Sequence, residues 1–183
     1  DLLEEYVRTA RYIENHEVKE LDPLSLRLTV KVCGFELEAF PSDGLRTMLR
    51  LRDRVRSLRE LTLRWKGHLD AIKSLRDLGF LSENKVNLNG IDVPIRMLTA
   101  KILEKVMPRN DDMLLMEITA RGFKMDREVT CAWTICGRAS GGLSTMARVT
   151  GAVCSRIALM LSQGLIDGVG VIPPEDLRSL ESI

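Results

Sequence analysis

The sequence predicts an α+β fold, a mixed and largely antiparallel sheet with helices packed on it. Three observations carry this expectation. Several segments alternate strictly between apolar and polar residues, as half-buried strands do. Others repeat apolar residues three and four apart, as amphipathic helices do. The strands stand next to one another in the chain, joined by short turn-forming links, which favours hairpins over crossovers.

Taken in order, residues 1–14 place Leu2, Leu3, Tyr6, Val7, Ala10 and Ile13 at helical spacing, so a first helix is expected there. Leu26–Val32 alternates as a strand, Gly34 breaks it, and Phe35, Leu37 and Ala39 resume the alternation up to a turn at Pro41-Ser42-Asp43-Gly44. Leu45, Met48, Leu49, Arg52 and Val55 follow helical spacing. Leu61, Leu63 and Trp65 form the next strand, with Trp65 assigned to the core. Leu69, Ile72, Leu75 and Leu78 make a helical stripe closed by Gly79.

Asn89-Gly90 between two short apolar runs predicts a hairpin. Pro94 opens a helix carrying Leu98, Ile102, Leu103 and Val106, ended by Pro108. Strands follow near 113–122 and 128–137, joined by the polar turn 124–127. The Gly-rich Ser140-Gly141-Gly142 leads into a helix over 144–163, capped by Gly164. A short last strand is expected at Val169–Ile172 before Pro173-Pro174. There is no internal repeat or linker, so the 183 residues are read as one domain.

Composition narrows the function classes. The chain is 45% hydrophobic and 29% charged with a net charge of +1, as a globular protein with no bias toward nucleic acid or membrane. No apolar run reaches the roughly 18–20 residues of a membrane span. The four cysteines match no metal-binding spacing and are expected as reduced thiols in a cytoplasmic protein. The chain begins at Asp1, inside a periodic segment and without an initiator Met, so it is expected to be part of something longer.

No dinucleotide fingerprint is present: Gly168-Val169-Gly170 runs into prolines where a phosphate-receiving helix would have to start. Two histidines, His16 and His68, do not suffice for a histidine metal centre or a triad. The run Arg46, Arg50, Arg52, Arg54, Arg56 and Arg59 is interrupted by Asp53 and Glu60 and carries no interleaved aromatics, so it reads as a solvated face. The segment Arg138–Gly151 has more to offer. A Gly-rich loop at a helix start presents free N–H groups and the positive dipole end, where Ser144 or Thr145 either donates to a bound carboxylate or serves as an ordinary N-cap. The small residues Ala147, Gly151, Ala152, Ser155 and Ala158 suit a helix lying close to the sheet or to a symmetry mate. His68 is either a substrate ligand or a capping residue.

The segment Thr62-Leu63-Arg64-Trp65-Lys66-Gly67-His68 resembles a Thr-Leu-Arg-Tyr-Pro-Gly-His stretch of the saccharopine dehydrogenase family. Gly34-Phe35 through Ala39-Phe40-Pro41-Ser42-Asp43 is similar to that family's Gly-Phe and Ala-Tyr-Pro-Asn-Asp stretch. Ser144-Thr145-Met146-Ala147 with Thr150-Gly151, and the closing Gly168–Glu175, resemble its last helix and Gly-Val-Pro-Glu ending. The matches keep the family's order over most of residues 1–177. Trp65-Lys66 and Ser42 depart from it, as does a looser loop at Gly141-Gly142.

The resemblance implies the C-terminal substrate-binding and dimerisation domain of a two-domain oxidoreductase, with the nucleotide-binding Rossmann half outside this chain. It implies NAD or NADP in the full-length protein and none bound by this piece, a homodimer, and an amino-acid-derived secondary amine or imine as substrate, in lysine metabolism. Arg64, Ser144, Thr145 and Arg148 are the candidates for holding substrate carboxylates, with His68 and Asp43 beside them. The competing expectations are a non-catalytic dimerisation or regulatory domain of the same fold, and the substrate domain of another two-domain reductase.

Overall fold

The computed structural model describes residues 3–107, 112–166 and 168–177. The chain, expected as one domain, divides into two compact units, Asp1–Pro108 and Arg109–Ile183. The fold class is α+β, and among the described residues every strand pairing is antiparallel.

In the first unit, β1 (Ala10–Glu14) pairs with β2 (Glu17–Leu21) on one edge and with β5 (Ser57–Leu58) on the other. Asn15 and His16, at φ 52° and 67°, turn the chain as two-residue hairpin links do. A second sheet has the order β3 (Leu28–Val32), β4 (Phe35–Pro41), β6 (Leu61–Trp65). The hairpin β7 (Lys85–Leu88) and β8 (Ile91–Pro94) turns at Asn89-Gly90, as expected, with φ 53° and 90°. Two helices complete the unit, α1 (His68–Asp77) and α2 (Ile95–Val106).

The helix expected over 1–14 is not formed: a 3-10 turn at Glu4–Tyr6 gives way to β1, and Asp1 and Leu2 lie outside the described residues. Ala10 and Ile13 are both buried although three apart, hence on opposite faces of the strand. A central strand covered on both sides loses its alternation, and the remaining spacing imitates a helix. Leu45–Val55 likewise holds an eight-residue 3-10 helix, Arg46–Asp53, with no residue fully buried. Its arginines are solvated, as expected of the run.

The core of this unit joins Leu3, Tyr6, Phe40, Leu69, Ile72 and Leu81. Tyr6 stacks on Phe40 with ring centroids 5.2 Å apart. The α1 stripe turns inward at Leu69 and Ile72, but Leu78 falls past the helix end and is exposed. On α2 the inner face is Thr99, Ala100 and Leu103, whereas Ile102 and Val106 of the expected stripe point outward. Thr99 satisfies its hydroxyl on the Phe80 and Ile95 carbonyls, which allows a polar residue on the buried face. Trp65, assigned to the core, is 55% exposed and meets Phe35 edge-on.

The second unit is built on a long hairpin, β9 (Met113–Lys124) and β10 (Arg127–Arg138), twelve residues each, followed by α3 (Thr145–Ser162). The strand expected at Val169–Ile172 is absent among the described residues. Gly168 and Gly170 sit at φ 133° and 101°, outside the extended backbone a strand needs, and Val169 and Val171 are fully exposed. The small-residue face of α3 is open: nothing lies within 4 Å of a Cβ built on Gly151, so it does not lie against the hairpin.

Cys131 and Cys154 are free and exposed, while Cys33 and Cys136 are not free, which corrects the expectation of four free thiols. No helix is long and apolar enough to cross a membrane, and no metal-holding cluster occurs among the described residues.

Candidate functional site

In the first unit the end of β6 and the start of α1 bring Arg64 and His68 to one place. Glu38, buried on β4, accepts the Leu69 backbone N–H at 3.2 Å, and so satisfies one of the free N–H groups that open α1. Arg27 pairs with Glu38 at 3.4 Å and also with Asp70, a residue of the first turn. The anchor matters because it holds the helix start, and with it His68, against the core.

Arg64 uses all three of its nitrogens. Nε donates to the Tyr6 hydroxyl at 2.8 Å, Nη1 to the Leu63 carbonyl at 2.8 Å, and Nη2 to the Glu5 carboxylate. The Tyr6 hydroxyl is in turn 2.8 Å from His68 Nε2. Burial works against the charge on Arg64, but Tyr6 and Glu5 outweigh it and hold the guanidinium above its ordinary pKa. Burial, with the nearby guanidinium second, lowers the pKa of His68, and burial raises that of Tyr6. A neutral imidazole beside a fixed cation that already holds a carboxylate is the result.

Asp43 is not part of that cluster. Arg11 grips its carboxylate through Nε at 2.8 Å and Nη2 at 2.9 Å, and Arg46 adds a contact at 3.1 Å. The Arg11 hydrogen bonds hold the Asp43 carboxyl below its usual range, against an opposing effect of burial. Asp43 and Glu5 nonetheless line one open cleft of about 330 Å³, with Arg8, Ser42, Gly44, Arg46, Glu60 and Thr62 around it.

The second unit holds the other three candidates, at the start of α3. Ser144 is the N-cap, its Oγ accepting the Ala147 N–H at 3.1 Å. The Thr145 and Met146 N–H groups donate to the two carboxylate oxygens of Asp112, at 2.6 and 3.1 Å. These two backbone donors hold the Asp112 carboxyl below its usual range. Arg148 Nη1 reaches back to the Arg138 carbonyl at 3.3 Å. Gly137 is required beneath the helix start, since a Cβ there would lie 2.6 Å from Thr145 Cγ2. The carboxylate geometry expected of this helix end is thus present, and the chain's own Asp112 fills it.

Sequence reasoning missed Glu5, Tyr6, Glu60 and Asp112. Tyr6 was placed on a helix that does not form, and Asp112 precedes a strand with no local sign of the helix it caps 33 residues later. The only usable signal was chemical: an Arg in a Thr-Leu-Arg strand and a free helix end each call for a carboxylate, and the chain contains acids enough to supply one.

The family model described as Saccharopine dehydrogenase C-terminal domain matches residues 1–182.

Proposed function

This chain belongs to the saccharopine dehydrogenase C-terminal domain family, and we propose that it is the substrate-side domain of an NAD(P)-dependent oxidoreductase acting on a secondary amine or imine of amino-acid origin, in lysine metabolism. The family comes from NAD(P)-dependent enzymes in general. Gly168-Val169-Gly170 leads into an irregular stretch and a single 3-10 turn at Pro174–Asp176, so this stretch places no helix N-terminus for a pyrophosphate. The part we assign to this chain is to bind and orient substrate.

The observation that carries the reading is the Arg64–Glu5 pair. A half-buried guanidinium, with Tyr6 and His68 at its side, already holds a carboxylate at the rim of an open cleft. A substrate carboxylate would take the place of Glu5, gaining the same charge-assisted donors. His68, neutral and hydrogen-bonded through Tyr6, would then lie beside the bound acid. The test is Arg64→Ala and Arg64→Lys in the whole protein, assayed with saccharopine. The expected result is a KM raised about ten- to hundred-fold by the alanine, with lysine restoring it only in part because a single ammonium cannot hold the Tyr6 hydroxyl, the Leu63 carbonyl and a carboxylate in the same geometry.

A second reading is favoured by one observation, that both expected carboxylate sites are filled from within, by Glu5 and by Asp112. On this reading the domain keeps the fold for dimerisation or regulation without chemistry, and KM is unchanged in both variants. Either reading includes a homodimer. What supports it is the β9–β10 hairpin, one face of which is apolar from Leu114 to Gly122: Met116, Ile118 and Ala120 stand opposite Ile135, Trp133 and Cys131 in register. Ile118 and Trp133 are 50% and 55% exposed on it. We assign the protein to the cytoplasm on the same expectation.

A further inference from the structure

Four carboxylates line the cleft of the first unit, and its arginines are shared among them unevenly. Glu4 is paired with Arg8, Glu5 with Arg64, and Asp43 with both Arg11 and Arg46. Glu60 has no cation within ion-pairing distance among the described residues. Its carboxylate is instead held by neutral donors: the Ser42 hydroxyl, the Gly44 N–H at 3.3 Å and the Thr62 hydroxyl at 3.3 Å. Gly44 permits the approach, since a Cβ there would lie 2.8 Å from the Glu60 carboxylate carbon.

Three neutral donors fix the position of this carboxylate without cancelling its charge, and an ionised carboxylate offers about four acceptor positions. Asp43 is the opposite case, one carboxylate served by two guanidiniums, and the second of these, Arg46, is 53% exposed with donors to spare. One wall of the cleft therefore carries an unmatched negative charge and another an excess positive one.

We propose that Glu60 is the receptor for an ammonium group and that this cleft takes the zwitterionic head of an amino acid, with the ammonium on Glu60 and the carboxylate on Arg46. The assignment rests on the reading that the domain handles an amino-acid-derived substrate, and it adds the residue that would recognise the amine end. The primary ammonium has three donors, enough to reach the open acceptor position of Glu60 and the cleft solvent together. The carboxylate finds at Arg46 a cation whose own partner is already shared.

The Gly44 amide donates to Glu60 and is a built-in reporter. In nitrogen–proton correlation spectra of the chain titrated with L-norleucine, the Gly44 and Thr62 amides should shift saturably. Hexanoate, which lacks the ammonium, and pentylamine, which lacks the carboxylate, should each bind about tenfold or more weakly. Glu60→Gln should weaken norleucine by a similar factor while leaving the remaining amides dispersed as in the parent, and Glu60→Asp should retain part of the response. Norleucine that moves neither amide, hexanoate that matches it, or a Glu60→Gln chain that binds as the parent does would each overturn the assignment. The broader reading is judged separately: a whole protein with no activity on amines or imines, but with Gly44 still responding, would sink that reading and leave this one standing.

Discussion

The Tyr6 hydroxyl lies 2.8 Å from His68 Nε2 and receives the Arg64 Nε–H at the same distance. Arg64 can only donate, so the hydroxyl accepts from it and links the guanidinium to the His68 ring. A stability consequence follows. The folded pKa of His68 is depressed below its ordinary 6.5, first by burial and then by Arg64, with Glu38 opposing. Above 6.5 neither state is protonated and the group contributes nothing. As pH falls below 6.5 the unfolded chain takes up the proton first, so stability declines until the folded pKa is passed. Urea midpoints at about pH 7.5 and about pH 5.5 should differ, with the lower value at the acid end, and His68→Gln should shrink the difference. An acid-side midpoint that does not depend on His68 would refute the arrangement.

Tyr6→Phe keeps the ring stacked on Phe40 but removes the group that Arg64 and His68 share. Leaving these half-buried polar atoms without a partner should cost about 1–3 kcal/mol of unfolding free energy. Denaturant unfolding of the variant beside the parent checks the effect.

Asp112 and the start of α3 separate an architectural cap from a substrate site. If a substrate carboxylate displaces Asp112, Asp112→Ala in the whole protein should lower KM for saccharopine, and Arg148→Ala should raise it about tenfold or more. If the carboxylate is only a cap, Asp112→Ala should lower the melting temperature and both variants should leave KM within about twofold. The pH dependence has a fixed sign in either case. A carboxyl depressed by the Thr145 and Met146 N–H groups adds stability above its unfolded value of 3.8, and that stability is lost as pH falls through the folded value.

The apolar hairpin face predicts association. Sedimentation over a range of concentrations should show a species near twice 20.6 kDa, and Trp133→Glu should return it to the monomer without loss of the hairpin. A charge at the centre of a buried apolar contact has no partner there, so the effect should be large. A wild-type chain that sediments as a monomer throughout would remove this face from consideration.

Elements governed by local chemistry were legible in the sequence. Leu61–Trp65, α1, α2, the β9–β10 hairpin and α3 stand within a few residues of their expected positions, because alternation, helical spacing, Pro94 and the glycines after α1 and α3 act over one or two turns of chain. Where a segment's burial is set by elements far away, the pattern misleads. Ala10 and Ile13 imitate a helix because β2 and β5 flank their strand and both its faces are buried, and Thr99 lies inward because the Phe80 carbonyl awaits it.

The sequence by itself determined the family, the α+β class and the residue types able to hold a carboxylate, since each of these is written in local order and composition. Arg64, His68, Ser144, Thr145 and Arg148 could all be named as candidates from it. Only the tertiary structure decided which partners they meet. Glu5 comes to Arg64 across 59 residues, Tyr6 to His68 across 62, and Asp112 to Thr145 across 33. A charge carries no mark of its counterpart along the chain. Electrostatic and hydrogen-bond energies depend on distance in space; for Arg64 and His68 that distance exists only once the core of Tyr6, Phe40, Leu69 and Ile72 has closed, and for Thr145 only once α3 has docked its start beside β9.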